Sequence, residues 1–529
     1  MALLFAGACT GEIGDTGPST LTPEPLVLMA PQVRRLTALQ YGNTVRAALG
    51  DVFQTADFPL FNDDIPTLGF ANDARILRIS DTNIESLYSQ TSGLAARAVV
   101  AVPRLAACVS ATTDTCFGTL LDELGPRLWR RPVTQEERDD LLATVAGVAA
   151  STTRAERVEL LAHILLASPH LLYRTELGVL DESLASLTDY EIASALSYAL
   201  WNGPPDDELF DIAAGGALHD EATLLSQVQR LTDDERYVEA LTEFYIDYLK
   251  LDTLLTKTKL PSLGLTPEVR AALIAGARED IRATFRQSGA TLADPFASQA
   301  AHINSLTAPF FGMTSGSAAL QSVALPPSER HGVLTHPAFL SVHAGEGESG
   351  IVKRGVFTLE QLLCFGLGSP PDNVTPLTEL PPGFDPANET SRRVLFVQHT
   401  SQAACIGCHQ IIDPAGAGYE NFDAAGRYRT TEKAANLPID ASGELRIGEE
   451  VLTFANSVEY AQGLAGSQGL RSCLAERFAT YLFGGPPNDV ERYRFVDAVR
   501  EASPDIKRIA ELLVASPSFV QRELPRSTP

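Results

Sequence analysis

The feature that most constrains this chain is the run Cys-Ile-Gly-Cys-His at positions 405–409. Two cysteines three residues apart, with a histidine directly after the second, is the spacing for covalent attachment of c-type haem. Each thiol adds across one vinyl group of the porphyrin, and on a helical turn Cys405 and Cys408 project to the same side. His409 can then offer an imidazole nitrogen to the iron. The motif therefore predicts a haem c cofactor, with His409 as the proximal ligand.

Two other kinds of site share this spacing. With seven cysteines and nine histidines in the chain, chance gives the pattern in roughly two sequences per thousand, so coincidence is a poor explanation. A dithiol redox pair does not need the adjacent histidine. A structural zinc site needs a fourth ligand, and the sequence has no second cysteine pair at zinc spacing. Haem c is the favoured interpretation, and a zinc or disulfide site is the alternative.

Residues after the motif are candidates for supporting roles. Asp413 and Pro414 are expected to end the local helix and to leave free carbonyls, one of which could accept the other ring N–H of His409. Arg427 and Arg429 are candidates for pairing with haem propionates, because guanidinium groups bind carboxylates well.

The sixth iron ligand is left open by the sequence. The candidates are one methionine and three histidines: Met313, His336, His343 and His399. A side chain in this position favours an electron carrier, whereas an open position allows peroxide or oxygen chemistry.

The overall composition excludes one class of partner. The chain has 41 basic and 66 acidic residues, a formal net charge of -25. Without a basic stripe to neutralise phosphates, nucleic acid is not an expected partner. A phosphate-binding loop, a nucleophile elbow and a metalloprotease helix are all missing from the sequence.

The N-terminus predicts export. Residues 1–9 form a short apolar run with small residues before Cys9, which resembles the end of a bacterial lipoprotein signal with Cys9 as the lipid-modified residue. A plain secretory signal is the alternative. Later runs do not reach the roughly 20 apolar residues of a membrane span. We therefore expect a periplasmic or outer-membrane lipoprotein, in contact with a membrane only through a lipid anchor on Cys9.

The remaining four cysteines suit an oxidising compartment. Cys108 and Cys116 flank a short polar loop and could form a small disulfide, and Cys364 could pair with Cys473. Buried thiols are the alternative.

The rest of the chain is patterned mainly as α-helix. Helices are expected from Val33 to Leu49 and from Asp81 to Ala101, and capping boxes start at Thr134 and Thr188. Residues 165–174 recur as 513–522, and each copy has a cysteine upstream, which indicates a duplicated helical module and slightly disfavours a 108–116 bridge. The one convincing alternating pattern predicts a small β-hairpin near 440–453.

The fold class we predict is mainly α, a multi-module helical protein with a cytochrome-c-like haem segment and one small hairpin. The predicted divisions are a signal at 1–9, a linker at 10–31, helical modules at 32–100 and 101–182, a central helical domain at 183–315, a haem-binding domain at 326–453 and a C-terminal module at 454–526.

Several runs together resemble a known family. Residues 332–335, 353–357 and 405–429, with 34–43, 128–132 and 187–207, are similar to the planctomycete-type cytochrome-c-like proteins, which combine uncharacterised modules with a CxxCH haem c motif. The resemblance covers nearly the whole chain and implies a haem-binding role without an established substrate. Ala417 departs from the pattern, because the family usually has a phenylalanine there.

The sequence therefore predicts an exported monohaem c-type cytochrome that exchanges electrons with an unknown redox protein. Two alternatives remain: a haem-dependent, peroxidase-like enzyme, and a non-redox scaffold at the cell surface.

Overall fold

The structure is a computed structural model, and it describes residues 28–54, 58, 70–73, 77, 79–181, 184–368, 392–400, 405–432, 436–485, 495–498 and 504–523. The predicted signal, Cys9 and most of the predicted linker lie outside these residues. Within them the protein is mainly helical with small antiparallel sheets, which confirms the predicted fold class at that level.

The chain divides into two compact units. We call the first the motif unit, which comprises Leu241–Phe478 and Val496–Ile506 and contains the CxxCH run. We call the second the flanking unit, which comprises Pro23–Ala240, Ala479–Phe495 and Lys507–Pro529. The seven divisions predicted from the sequence stay a prediction.

The flanking unit is built around a helical core. Its helices are α1 (Ala38–Leu49), α2 (Asp81–Ala101), α3 (Pro103–Val109), α4 (Thr115–Trp129), α5 (Gln135–Ala146), α6 (Arg154–Ala167), α7 (Pro169–Leu172), α8 (Asp189–Trp201), α9 (Asp207–Ala214) and α10 (Glu221–Thr232). Leucines from α1, α2, α4 and α6 fill this core. Both predicted capping boxes are confirmed: Thr134 and Glu137 start α5, and Thr188 and Glu191 start α8.

The flanking unit also contains strands that the sequence did not predict. They are β1 (Gln32–Arg35), β2 (Tyr173–Glu176), β3 (Val179–Asp181), β4 (Leu184–Ser186) and β9 (Gln521–Glu523). β1 pairs with β2, and β3, β4 and β9 form an antiparallel sheet in that order. The helix expected from Val33 is therefore wrong at its start, because 33–35 is a strand and Thr37 caps the helix.

The predicted internal repeat adopts the same local structure twice. In the first copy α6 is followed by the short helix at Pro169 and by β2. In the second copy α20 (Ile506–Val514) is followed by a 3₁₀ turn at Pro517–Phe519 and by β9. The equivalent arginines of the copies, Arg174 and Arg522, both pair with the buried carboxylate of Glu176.

The motif unit has its own set of elements. Its helices are α11 (Glu235–Tyr248), α12 (Pro267–Phe285), α13 (Asp294–Ala297), α14 (Pro337–Val342), α15 (Ile351–Phe357), α16 (Arg392–Thr400), α17 (Ile406–Ala417), α18 (Ser457–Gly466) and α19 (Gln468–Phe483). A π-helical turn, Thr358–Leu362, extends α15.

Two hairpins complete the motif unit. Strands β7 (Gly443–Ile447) and β8 (Glu450–Phe454) form the hairpin predicted near 440–453. Strands β5 (Ala300–Ile303) and β6 (Gln321–Ala324) form a second hairpin, whose first strand lies in the region 183–315 that we predicted to be helical.

Two disulfides join the remaining cysteines. Cys108 bonds to Cys116 in the flanking unit, and Cys364 bonds to Cys473 in the motif unit. The local bridge exists although the repeat disfavoured it. In the part of the chain that is described, no single helix is long and apolar enough to cross a membrane; the bent pair α2 and α3 meets the length and composition criteria together.

Candidate functional site at the CxxCH helix

The CxxCH run forms the first turn of α17. Cys405 is the residue before the helix, and its carbonyl accepts from the backbone N–H groups of Cys408 and His409 at 3.3 and 3.1 Å. Both sulfurs are half-buried and neither is in a disulfide. The two thiols and the imidazole therefore lie on one helical turn.

Glycines allow α17 to pack directly on α15. A Cβ atom at Gly416 would lie 1.8 Å from the carbonyl oxygen of Ile351, and one at Gly355 would lie 2.3 Å from the carbonyl oxygen of Ile412. Neither position can accept a side chain without separating the helices. This close contact fixes the axis of the helix that carries the motif.

Arg354, next to Gly355, holds the segment that follows α17. Arg354 is 1% exposed, and its guanidinium donates four hydrogen bonds of 2.9–3.1 Å to backbone carbonyls, those of Leu340, Tyr419, Phe422 and Asp423. A buried arginine needs such acceptors, because an unpaired buried charge is costly. Residues 353–357 and 419–423, which carry part of the family resemblance, are therefore in direct contact.

The side chain of Asp413 orients His409. Its Oδ1 accepts from His409 Nδ1 at 2.8 Å, and its Oδ2 accepts from Thr400 Oγ1 at 2.6 Å. The expectation that Asp413 and Pro414 end the helix is wrong, because α17 continues through Pro414 to Ala417. Within a continuous helix, residues 409 and 413 face the same side, so the carboxylate takes the role that we assigned to a free carbonyl.

This arrangement fits the donor set of a c-type haem. A carboxylate carries no hydrogen to donate, so His409 donates from Nδ1 and Nε2 keeps its lone pair for a metal. The imidazole ring of His409 hydrogen-bonds to Asp413 and lies 6.2 Å from the ring of Phe396, measured between ring centroids. Separately, no group of three or more His, Cys, Asp or Glu side chains is arranged around a metal position in the described ranges.

The two predicted propionate partners already bind protein groups. Arg427 donates to the carbonyl of Leu263 at 2.7 Å and lies 4.2 Å from the ring centroid of Phe310. Arg429 donates to the backbone and side chain of Glu420, both at 3.2 Å. Pairing of either arginine with a propionate stays a prediction.

The candidates for the sixth ligand have different surroundings. His343 is buried, its Nε2 hydrogen-bonds the Leu249 carbonyl at 3.0 Å, and its ring lies on that of Phe357. Burial lowers the pKa of His343 to about 3. Met313 is half-buried after the 3₁₀ turn at Ala308–Phe311, and the side chain of His399, in α16, lies outside the described residues.

His336 lies in a small cavity instead. Its Nδ1 accepts from the N–H of Ala338 at 3.1 Å, and its buried Nε2 lies 3.7 Å from Asp280 Oδ2 without a hydrogen bond. The other carboxylate oxygen of Asp280 binds His302 Nδ1 at 2.9 Å. The cavity beside them has a volume of about 20 Å³, which is the space of about one water molecule, so a porphyrin could reach His336 only after rearrangement. The identity of the sixth ligand stays a prediction.

Thr400 and the role of the Asp413 side chain were not predicted from the sequence. Thr400 is separated from Asp413 by the residues between two helices, and only the folded structure brings them together. The four-residue spacing of His409 and Asp413 is visible in the sequence, but it predicts this contact only in a helix that continues through Pro414.

Comparison with known families matches four models, each described as a protein of unknown function: PSD3 (DUF1587) at 34–100, PSD5 (DUF1595) at 116–176, PSD4 (DUF1592) at 187–313 and PSCyt3 (DUF1588) at 330–432. These are the planctomycete cytochrome-c-associated families, and the four matched regions follow one another along the chain. The CxxCH run lies within the PSCyt3 match. Neither the curated proteins nor the solved structures contain a match.

Proposed function

We propose that this chain is an exported monohaem c-type cytochrome that transfers electrons to or from a redox protein. Haem c is attached through Cys405 and Cys408, and His409 is the proximal ligand. When bound, the haem supplies a one-electron ferric/ferrous couple. The observation that carries the proposal is the orientation of His409: Asp413 holds Nδ1, and Nε2 is left for a metal beside two thiols.

Two further observations support parts of this proposal. The disulfides Cys108–Cys116 and Cys364–Cys473 suit an exported protein, since disulfides persist mainly outside the cytoplasm. The net charge of -25 suits a basic docking surface on the redox partner. A periplasmic or outer-membrane location, with a lipid on Cys9, is part of the proposal.

Production of the full chain with a c-type haem maturation system tests the assignment. We expect a Soret band and a mass increase of one haem that survives denaturation, because thioether bonds are covalent. The double variant Cys405→Ser/Cys408→Ser should lose this haem completely.

Cys108→Ser/Cys116→Ser is the matched control, because it also removes two sulfurs but lies in the flanking unit. It should keep the haem. Colourless wild-type protein, or equal haem in both double variants, would contradict the proposal.

A further inference from the structure

The carboxylate of Asp413 lies between a histidine and a hydroxyl. Its two oxygens accept from His409 Nδ1 at 2.8 Å and from Thr400 Oγ1 at 2.6 Å. Asp413 is 8% exposed and Thr400 is 2% exposed, so water competes weakly for these bonds. Thr400 Oγ1 also lies 3.0 Å from the Phe396 carbonyl, but its one hydrogen favours the shorter contact with a charged acceptor.

We propose that Asp413 and Thr400 are positioning residues that set the reduction potential of the iron bound by His409, with opposite signs. This inference rests on the proposed function. A carboxylate that accepts from Nδ1–H makes the imidazole a more basic ligand, which stabilises the ferric state and lowers the potential. Thr400 donates to the same carboxylate and withdraws part of its charge, so it limits this effect.

The same hydrogen bonds also connect α16 to α17, so Asp413 and Thr400 have a structural role as well. The direction in which each variant changes the reduction potential distinguishes this structural role from the proposed one. If Asp413 and Thr400 only hold the helices together, loss of either bond should loosen the same contact and move the potential in the same direction or leave it unchanged. If they act through the charge on His409, loss of the carboxylate and loss of the hydroxyl must move the potential in opposite directions.

Spectroscopic redox titration of the haem-loaded full chain tests this inference. For Asp413→Asn we expect the ratio of reduced to oxidised haem, at a fixed potential, to rise about tenfold, equivalent to 59 mV for a one-electron couple. For Thr400→Val we expect this ratio to fall, while Thr400→Ser, which keeps the hydroxyl, stays near wild type.

The chain offers a matched control in the same unit. Thr291 Oγ1 donates to Asp294 Oδ1 at 2.8 Å, and the described hydrogen bonds of this carboxylate come from Thr291 alone. Asp294→Asn removes the same charge from a threonine-bound carboxylate and should leave the ratio within about twofold of wild type.

The outcomes separate this inference from the proposed function. Shifts of the same sign in Asp413→Asn and Thr400→Val, or ratios within twofold of wild type in both, overturn the inference while a covalent haem leaves the proposed function intact. Wild-type protein without haem overturns both. If Asp413→Asn does not acquire haem, Asp413→Glu restores a carboxylate at this position. The direction of the change in Thr400→Val then decides alone: an unchanged or higher ratio of reduced to oxidised haem overturns the inference.

Discussion

Two histidine–aspartate pairs in the motif unit have nearly the same hydrogen bond and very different surroundings. His409 Nδ1 lies 2.8 Å from Asp413, and His302 Nδ1 lies 2.9 Å from Asp280. The first pair lies in one helix beside two thiols. The second joins hairpin β5–β6 to α12 beside a cavity of about 20 Å³.

The difference shows that the pair alone does not identify a functional site. Both carboxylates orient an imidazole, but only the pair of His409 lies next to groups that can attach a cofactor. Asp280 also accepts from the backbone N–H of His302, so this carboxylate fixes the start of a hairpin as well as a side chain. We infer that the first pair serves the motif and that the second serves the fold.

The largest expected effect comes from replacement of the two histidines. His409→Ala should abolish the spectrum of a histidine-ligated haem, because the proposed function makes His409 the proximal ligand. His302→Ala should keep the spectrum and should lower the free energy of unfolding by about 1–3 kcal/mol, since a buried carboxylate loses a partner. Absorbance spectra and urea titrations of both variants measure the contrast. An unchanged spectrum in His409→Ala would contradict the division of roles.

A smaller effect concerns acid stability near the second pair. His336 faces Asp280 and Arg330, and burial lowers its pKa to about 3, below the usual 6.5. The folded protein keeps this histidine neutral, so its contribution to stability is complete above pH 6.5 and is lost as the pH falls toward 3. The slope for one histidine is up to about 1.4 kcal/mol per pH unit.

His336→Asn should reduce the dependence of the unfolding free energy on pH by the contribution of one histidine. His343, whose pKa is also about 3, should keep its own contribution. Urea unfolding of the wild type and variant between pH 4 and pH 7 measures it. If the unfolding free energies of the two proteins change equally with pH, His336 does not change its protonation on unfolding. A changed haem spectrum in His336→Asn would instead indicate that this residue reaches the iron.

Local signals in the sequence predicted local structure well. The capping boxes at Thr134 and Thr188 are confirmed because each involves four consecutive residues. The repeat at 165–174 and 513–522 gives helix, turn and strand twice because the Ser-Pro step and the apolar spacing are both copied. The hairpin of β7 and β8 follows from its alternation over a short loop.

Long-range partners could not be predicted in the same way. β1 is a strand because it pairs with β2, and its register joins Gln32 to Glu176. Likewise, α17 continues through Pro414 and packs closely on α15 at Gly416. Local sequence rules for proline take no account of such packing. The CxxCH motif and the four-residue spacing of His409 and Asp413 were therefore readable from the sequence, but the continuation of the helix through Pro414 and the contact of Asp413 with Thr400 were not.

The smallest expected effect concerns the pair of His302 and Asp280 on the alkaline side. The hydrogen bond to Asp280 raises the pKa of His302 above 6.5, and burial raises the pKa of Asp280. Both shifts have the same sign for stability, which is present at low pH and is lost as the pH rises through each raised pKa. His302 is 17% exposed at its side chain, so solvent screens its interaction with Asp280 only in part. Unfolding free energies at pH 6 and pH 8.5 should therefore differ by less in Asp280→Asn than in the wild type. An equal difference in both proteins would mean that the pair of His302 does not contribute through its charge.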